Sequence, residues 1–150
     1  MNDQESMRAA LAVAQEALRT GDVPVGAIVI NKNNEVISQG RNEREALGDP
    51  TAHAEIVAIR AAAELLGTWR LDGCTLVVTL EPCAMCAGAI AQSRISTLVF
   101  AAWDEKAGAV GSVWDLLRDP RSLYKVEVRG GVMADESSKL LQDFFQNQRQ

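Results

Sequence analysis

Two cysteines three positions apart, Cys83 and Cys86 in the stretch LEPCAMCAGA, follow a proline at the close of a β-like run. A disulfide, a redox pair and half of a metal site all use this spacing, so the chemistry depends on what else the chain supplies. The single histidine, His53, lies in DPTAHAE, with Glu55 two positions further on. One imidazole and two thiolates make three zinc ligands. Such a set leaves one tetrahedral position for water, whose pKa falls to about 7 in catalytic zinc sites. Beside it, Glu55 would not ligate the metal but could take a proton from the water and pass it to a leaving amine. The competing readings are concrete. A dithiol exchange site would also want both sulfurs on one helical face. A closed structural zinc site would need a fourth ligand, and Cys74 is the only other thiol, otherwise a small buried hydrophobe. Glu55 alone would be a solvent-facing helical carboxylate.

These residues need elements to carry them. Met7, Ala10, Leu11, Ala14 and Leu18 recur at helical spacing over residues 4–19, with Asn2 or Asp3 as a cap and Gly21 as a stop. Val25 to Ile30 and Val36 to Gly40 are β-rich runs joined by the polar NKNN, which predicts an antiparallel hairpin, with Asn42 just past its second strand. HAEIVAIRAAAELL predicts a helix with Asp49 as cap and Pro50 in the first turn, which leaves His53 near its start. Residues two apart on a regular helix point about 200° from each other, so His53 and Glu55 act together only if His53 sits at an irregular helix start. Cys74 to Leu80 predicts a buried strand. A helix then runs from Cys83 to Gln92, with Pro82 at its first position and the thiols in the opening turn, where free amides and the helix dipole favour thiolates. TLVFAA is a further strand, SVWDLL a short helix capped by Ser112, KVEV a last strand, and residues 136–148 a final helix. Trp103 and the pair Phe144 and Phe145 suit either core packing or stacking on a base. Strands alternating with helices after a hairpin predict an α/β fold, its sheet partly parallel and covered on both faces, with ligand chemistry at the carboxyl ends of the strands.

Composition narrows the function. At 150 residues and 47% hydrophobic content, with no linker-like stretch, the chain predicts one domain over 1–150. The N-terminus is polar and acidic, and no apolar run approaches the ~18 residues of a membrane span, so a cytoplasmic protein without membrane contact is expected. Three cysteines are too few and odd in number for a disulfide framework. A formal charge of −5 argues against a general DNA-coating role but leaves room for a small RNA read by shape.

His53-Ala54-Glu55 together with Pro82-Cys83-Ala84-Met85-Cys86 resembles the H-x-E and P-C-x-x-C signature of the zinc-dependent nucleobase deaminases. VPVGAIV, DPTAHAE, TLEPCAMCAGAI, the run from Asp104 through GAVGS, and DFF at Asp143 to Phe145 are similar to bacterial tRNA-specific adenosine deaminases over nearly the whole chain. The resemblance implies a three-layer α/β/α cytidine-deaminase-like fold with a five-stranded mixed sheet, and one zinc per subunit held by His53, Cys83 and Cys86. It implies Glu55 as proton shuttle, with Asn42, Ala54, Asp104, Phe145 and Arg149 as substrate contacts. It further implies a homodimer that binds a tRNA anticodon stem-loop and converts its wobble adenosine to inosine and ammonia. The chain departs from that pattern where QNQRQ keeps only Arg149 of a basic tail, and where Leu123-Tyr124 replaces an Asn-His pair. A deaminase of a free base or nucleotide, such as guanine or cytidine, would use the same zinc and glutamate positions. Free-cytidine enzymes of this group join their last two strands antiparallel through a short connection, whereas the stretch from Trp103 to Tyr124 is long enough for a parallel crossover. A non-catalytic zinc module that binds RNA is the other alternative, and it would not require Glu55.

Overall fold

Side chains along the central strands alternate between two apolar layers, and that alternation sets the architecture. In the computed structural model, which describes residues 1–148, five strands form one sheet in the order β2-β1-β3-β4-β5. They are β1 (Gly26–Ile30), β2 (Val36–Arg41), β3 (Thr75–Leu80), β4 (Thr97–Ala102) and β5 (Glu127–Arg129). β1 is antiparallel to both β2 and β3, while β3, β4 and β5 run parallel, as the sequence leads one to expect. Ile28, Val77 and Val99 pack with Met7 and Ala10 of helix α1 (Asp3–Glu16) on one face. Ala27, Val29, Leu76, Val78, Leu98 and Phe100 pack on the other with α3 (Ala54–Leu66) and α4 (Ala84–Gln92). A last helix, α5 (Ala134–Gln148), rests against β3 and β4, with the Ser137 hydroxyl donating to the Thr79 carbonyl.

Close approach of α3 to the sheet matters for the site. Ala54, Ala58 and Ala62 recur every fourth residue as a fully buried stripe of small side chains. They let the helix descend onto β2 until a Cβ at Gly40 would stand 2.5 Å from the Ala54 carbonyl oxygen and from the Ala58 nitrogen. The start of α3 is thereby pinned at the carboxyl end of β2. The first helix follows its local signals: the Asn2 carboxamide accepts from the Glu5 amide at 2.8 Å, and a 3-10 turn over Ala17–Thr20 ends at Gly21 in the left-handed region, φ 71°.

Four local expectations are corrected. SVWDLL is not helical: Gly111 donates to the Trp114 carbonyl, Val110 bridges Asp115, and Ser112 turns inward to Glu81 instead of capping a helix. Asp49 does not cap α3. It accepts from the Thr51 amide and hydroxyl and closes a turn, so the helix begins at Ala54 with His53 as its N-cap. Pro82 precedes α4 rather than opening it, because Cys83 has extended backbone and is the N-cap. The polar stretch before the turn contains a short helix, α2 (Arg44–Leu47), held by tertiary contacts that its composition does not announce.

Candidate active site

Two helix starts meet at the carboxyl ends of the parallel strands. His53 caps α3 and Cys83 caps α4, each with extended backbone (φ −70°, ψ 152° and φ −75°, ψ 178°), and neither side chain makes a capping hydrogen bond to its helix. An extended N-cap residue projects its side chain past the helix end, which removes the 200° objection to pairing His53 with Glu55. Cys86 lies in the first turn of α4, fully buried. His53 Nδ1 stands 3.6 Å from Cys83 Sγ and 3.5 Å from Cys86 Sγ. A tetrahedral zinc with ordinary bond lengths to N and S requires about 3.5 Å between those atoms. The three donor atoms all lie within 4.8 Å of one another, and among the described residues no other set of His, Cys, Asp and Glu side chains converges in this way. A nitrogen and two sulfurs suit zinc, and the residues fit it. Cys74 stands outside the group; it is buried, and burial pushes its thiol up.

The electrostatics match a cation site. A hydrogen bond from Cys86, then one from His53, brings the Cys83 thiol down to about 3, while the same bond, burial and the nearby Glu55 push Cys86 up. Two sulfurs and an imidazole nitrogen this close together suit a dication, which would ionise both thiols. Hydrogen bonding to Cys83 raises His53 against its burial. Glu55 is 4% exposed, and burial lifts its carboxyl to about 7 despite amide and His53 contributions in the other direction. A carboxyl poised near neutrality gives and takes a proton at little cost.

Beside these groups lies a cavity of about 230 Å³. His53, Ala54, Glu55 and Cys83 line it from the helix starts, Val23, Val25, Asn42 and Arg44 from the hairpin side, and Leu80, Glu81, Asp104 and Ala107 from the ends of β3 and β4. Asn42 is nearly buried, its amide donating to the Val23 carbonyl and its oxygen accepting from the Arg44 amide, each at 3.2 Å. One Asp104 carboxylate oxygen accepts from the Lys106 and Ala107 amides at 3.1 Å.

Most of the residues singled out from sequence thus come together, but not all. Phe145 lines a separate concavity with Lys106, Leu141 and Gln146, and it packs edge-on against Phe144. Arg149 lies outside the described residues. Trp103 is exposed and meets Phe100 edge-on at 5.8 Å, and Tyr124 stacks under the Arg94 guanidinium at 3.6 Å. Two buried carboxylates were not singled out. Asp22 accepts from the Glu45 and Ala46 amides and holds α2 beside the cavity. Glu81 accepts from the Asp104, Val110 and Ser112 amides and the Ser112 hydroxyl. Burial works to raise its carboxyl, but the Ser112 hydroxyl and those amides win and hold it below the ordinary range. The signal in the sequence was slight: an acid between an apolar strand and the Pro-Cys turn.

Residues 1–102 match the cytidine and deoxycytidylate deaminase zinc-binding region. A tRNA-specific adenosine deaminase of Haemophilus influenzae is 46% identical over 99% of this chain and 86% of its own length. Among solved structures, a tRNA:A34 deaminase studied for A-to-I editing at the wobble position superposes with TM-score 0.87 at 42% identity, over 91% of this chain and 99% of that one. A guanine deaminase from Nitrosomonas europaea superposes with TM-score 0.79 at 27% identity, over 94% and 83% respectively.

Proposed function

The chain belongs to the zinc-dependent cytidine and deoxycytidylate deaminase family, and from that footing we propose that it hydrolyses the wobble adenosine of a tRNA anticodon loop to inosine and ammonia. The observation that carries the reading is the convergence of His53, Cys83 and Cys86 beside a buried Glu55, in a chain similar over nearly its whole length to tRNA-specific adenosine deaminases. Zinc in that nitrogen and sulfur set supplies an activated water as nucleophile.

Glu55 handles the protons. It accepts one as water adds to the ring carbon bearing the amine and returns it to the adjacent ring nitrogen. It then takes the proton of the new hydroxyl and delivers it to the amine, which leaves as ammonia. Its buried position and its carboxyl near 7 support both directions of transfer. The Asn42 side chain, already oriented by Val23 and Arg44, meets the edge of the purine, and the backbone of Ala54 at the start of α3 helps seat the water and base. Asp104 contacts the sugar on the 5′ side. Phe145, which shares its concavity with Lys106, and Arg149 serve the neighbouring nucleotides. The enzyme acts as a cytoplasmic homodimer. Pairing is supported by exposed apolar side chains on α3 and α4, Leu65, Leu66 and Met85, and no helix among the described residues is long and apolar enough to cross a membrane.

Against a free-cytidine enzyme stands the parallel pairing of β4 with β5 across a long connection. The deciding experiment incubates zinc-loaded protein with anticodon stem-loops bearing the wobble adenosine, alongside free adenosine, guanine and cytidine. Inosine in the stem-loop is the expected product. Turnover of guanine or cytidine with none of the stem-loop would replace this reading by the free-base one, and zinc-dependent RNA binding without any product would leave a non-catalytic module.

A further inference from the structure

Glu81 is 2% exposed, and no Lys or Arg among the described residues pairs with it. An ionised carboxylate accepts only, and four donors meet this one. The Asp104 amide reaches Oε1 at 3.0 Å, the Val110 and Ser112 amides reach Oε2 at 2.9 and 3.1 Å, and the Ser112 hydroxyl completes the set. All four come from the segment that follows β4, and Ala109 of the same segment donates to the Pro82 carbonyl at 2.8 Å. At the end of β4 itself, the Ala102 carbonyl accepts from the Glu81 amide at 2.8 Å. Gly108 leaves room for the carboxylate: a Cβ there would stand 2.4 Å from Glu81 Cδ. Asp104 and Ala107, carried by this segment, line the cavity, and Cys83 follows Glu81 by two residues.

We propose that Glu81 is a positioning residue for substrate: its carboxylate gathers the backbone of residues 104–112 and so sets where Asp104 and Ala107 stand against a bound nucleotide, on the same turn that carries Cys83. The assignment of the segment to substrate rests on the tRNA reading above; the gathering of the loop does not. Glutamine at position 81 offers one oxygen and a donor NH₂, whereas backbone amides, which only donate, meet both carboxylate oxygens, so at least one of them loses its acceptor. Aspartate keeps both acceptors on a side chain shorter by one methylene.

The zinc-loaded full chain, with Glu81→Gln, Glu81→Asp and Ser112→Ala beside it, tests this by amide exchange, zinc content, and kcat and KM on an anticodon stem-loop. In Glu81→Gln the Asp104, Val110 and Ser112 amides should exchange about tenfold faster or more, KM should rise by about tenfold, and kcat should fall by less than about threefold, with zinc stoichiometric. Glu81→Asp should recover part of both changes. Ser112→Ala, which removes one donor of the four, should move in the same direction by less, and it carries the comparison if Glu81→Gln does not fold. Unchanged exchange or unchanged KM overturns the proposal, as does a loss confined to zinc content and kcat. If the native protein deaminates no stem-loop, the tRNA reading falls, and the exchange rates still decide whether Glu81 holds the loop.

Discussion

Glu55 is where chemistry and burial meet most directly, and its removal separates the two. Glu55→Ala should retain stoichiometric zinc and the fold while losing about 10² to 10⁴-fold in turnover, the ordinary contribution of a positioned acid and base. Near-native turnover would end its role as proton carrier. Cys83→Ala and Cys86→Ala should instead lose zinc by metal analysis, whereas Cys74→Ala, outside the donor group, should keep it; full occupancy in either of the first two would refute the site. Asp104→Asn isolates a charge. The asparagine oxygen can still accept from the Lys106 and Ala107 amides, so the loop survives, but on the proposed sugar contact a neutral side chain would lose the strong bond to a ribose 2′-hydroxyl and the repulsion of nearby phosphate. The ratio of RNA to DNA turnover on matched stem-loops should fall by about tenfold, and an unchanged ratio would make Asp104 a loop brace only.

The elements position these groups through backbone contact rather than through large side chains. Because α3 touches β2 at Gly40, a methyl there must push the helix start away from the sheet. Gly40→Ala should therefore cost about 1 to 3 kcal/mol in chemical denaturation and weaken zinc binding through His53, the N-cap of the displaced helix. A variant with native stability and native zinc affinity would mean that α3 tolerates the shift. On either side of the cavity a buried carboxylate does similar work. Asp22 holds α2, next to Asn42 and Arg44, and Glu81 holds the segment with Asp104. The arrangement replaces what would otherwise be unpaired loop amides with charge-assisted bonds, each stronger than a neutral one.

For the fold as a unit, a metal held by His53, Cys83 and Cys86 would tie the starts of α3 and α4 together on one face of the sheet. Zinc bound by the native state alone must stabilise it by mass action, about 2.7 kcal/mol at a hundredfold excess over the dissociation constant. Stripping the protein with a chelator should lower its thermal midpoint, and zinc should restore it. Identical midpoints with and without zinc would show that the three donors do not act together. β2 and β3, both antiparallel to β1, run the same way and so bring the starts of α3 and α4 to one edge of the sheet, and because β4 runs parallel to β3 the segment that follows it carries Asp104 and Ala107 to the cavity there.

The sequence by itself determines what depends on residue type and short spacing. Zinc favours imidazole nitrogen and thiolate sulfur, so one histidine and a Cys-x-x-Cys pair singled out the candidate ligands. Runs such as TLVVTL and TLVFAA named strands because β-branched residues suit a buried sheet, and the alternation with helices named the mixed architecture. What tertiary structure alone decided were contests between a local partner and a distant one. Ser112 stands where a helix cap belongs, yet Glu81, 31 residues earlier, takes both its amide and its hydroxyl, and the helix does not form. The short α2 exists because Asp22, 23 residues before Glu45, accepts at its first turn. Phe145 shares a motif with the site but faces a different hollow, since the direction of a side chain on α5 is set by how that helix lies on β3 and β4. Local propensities are worth a few tenths to about 1 kcal/mol per residue, and a buried charged acceptor that must find donors outweighs them.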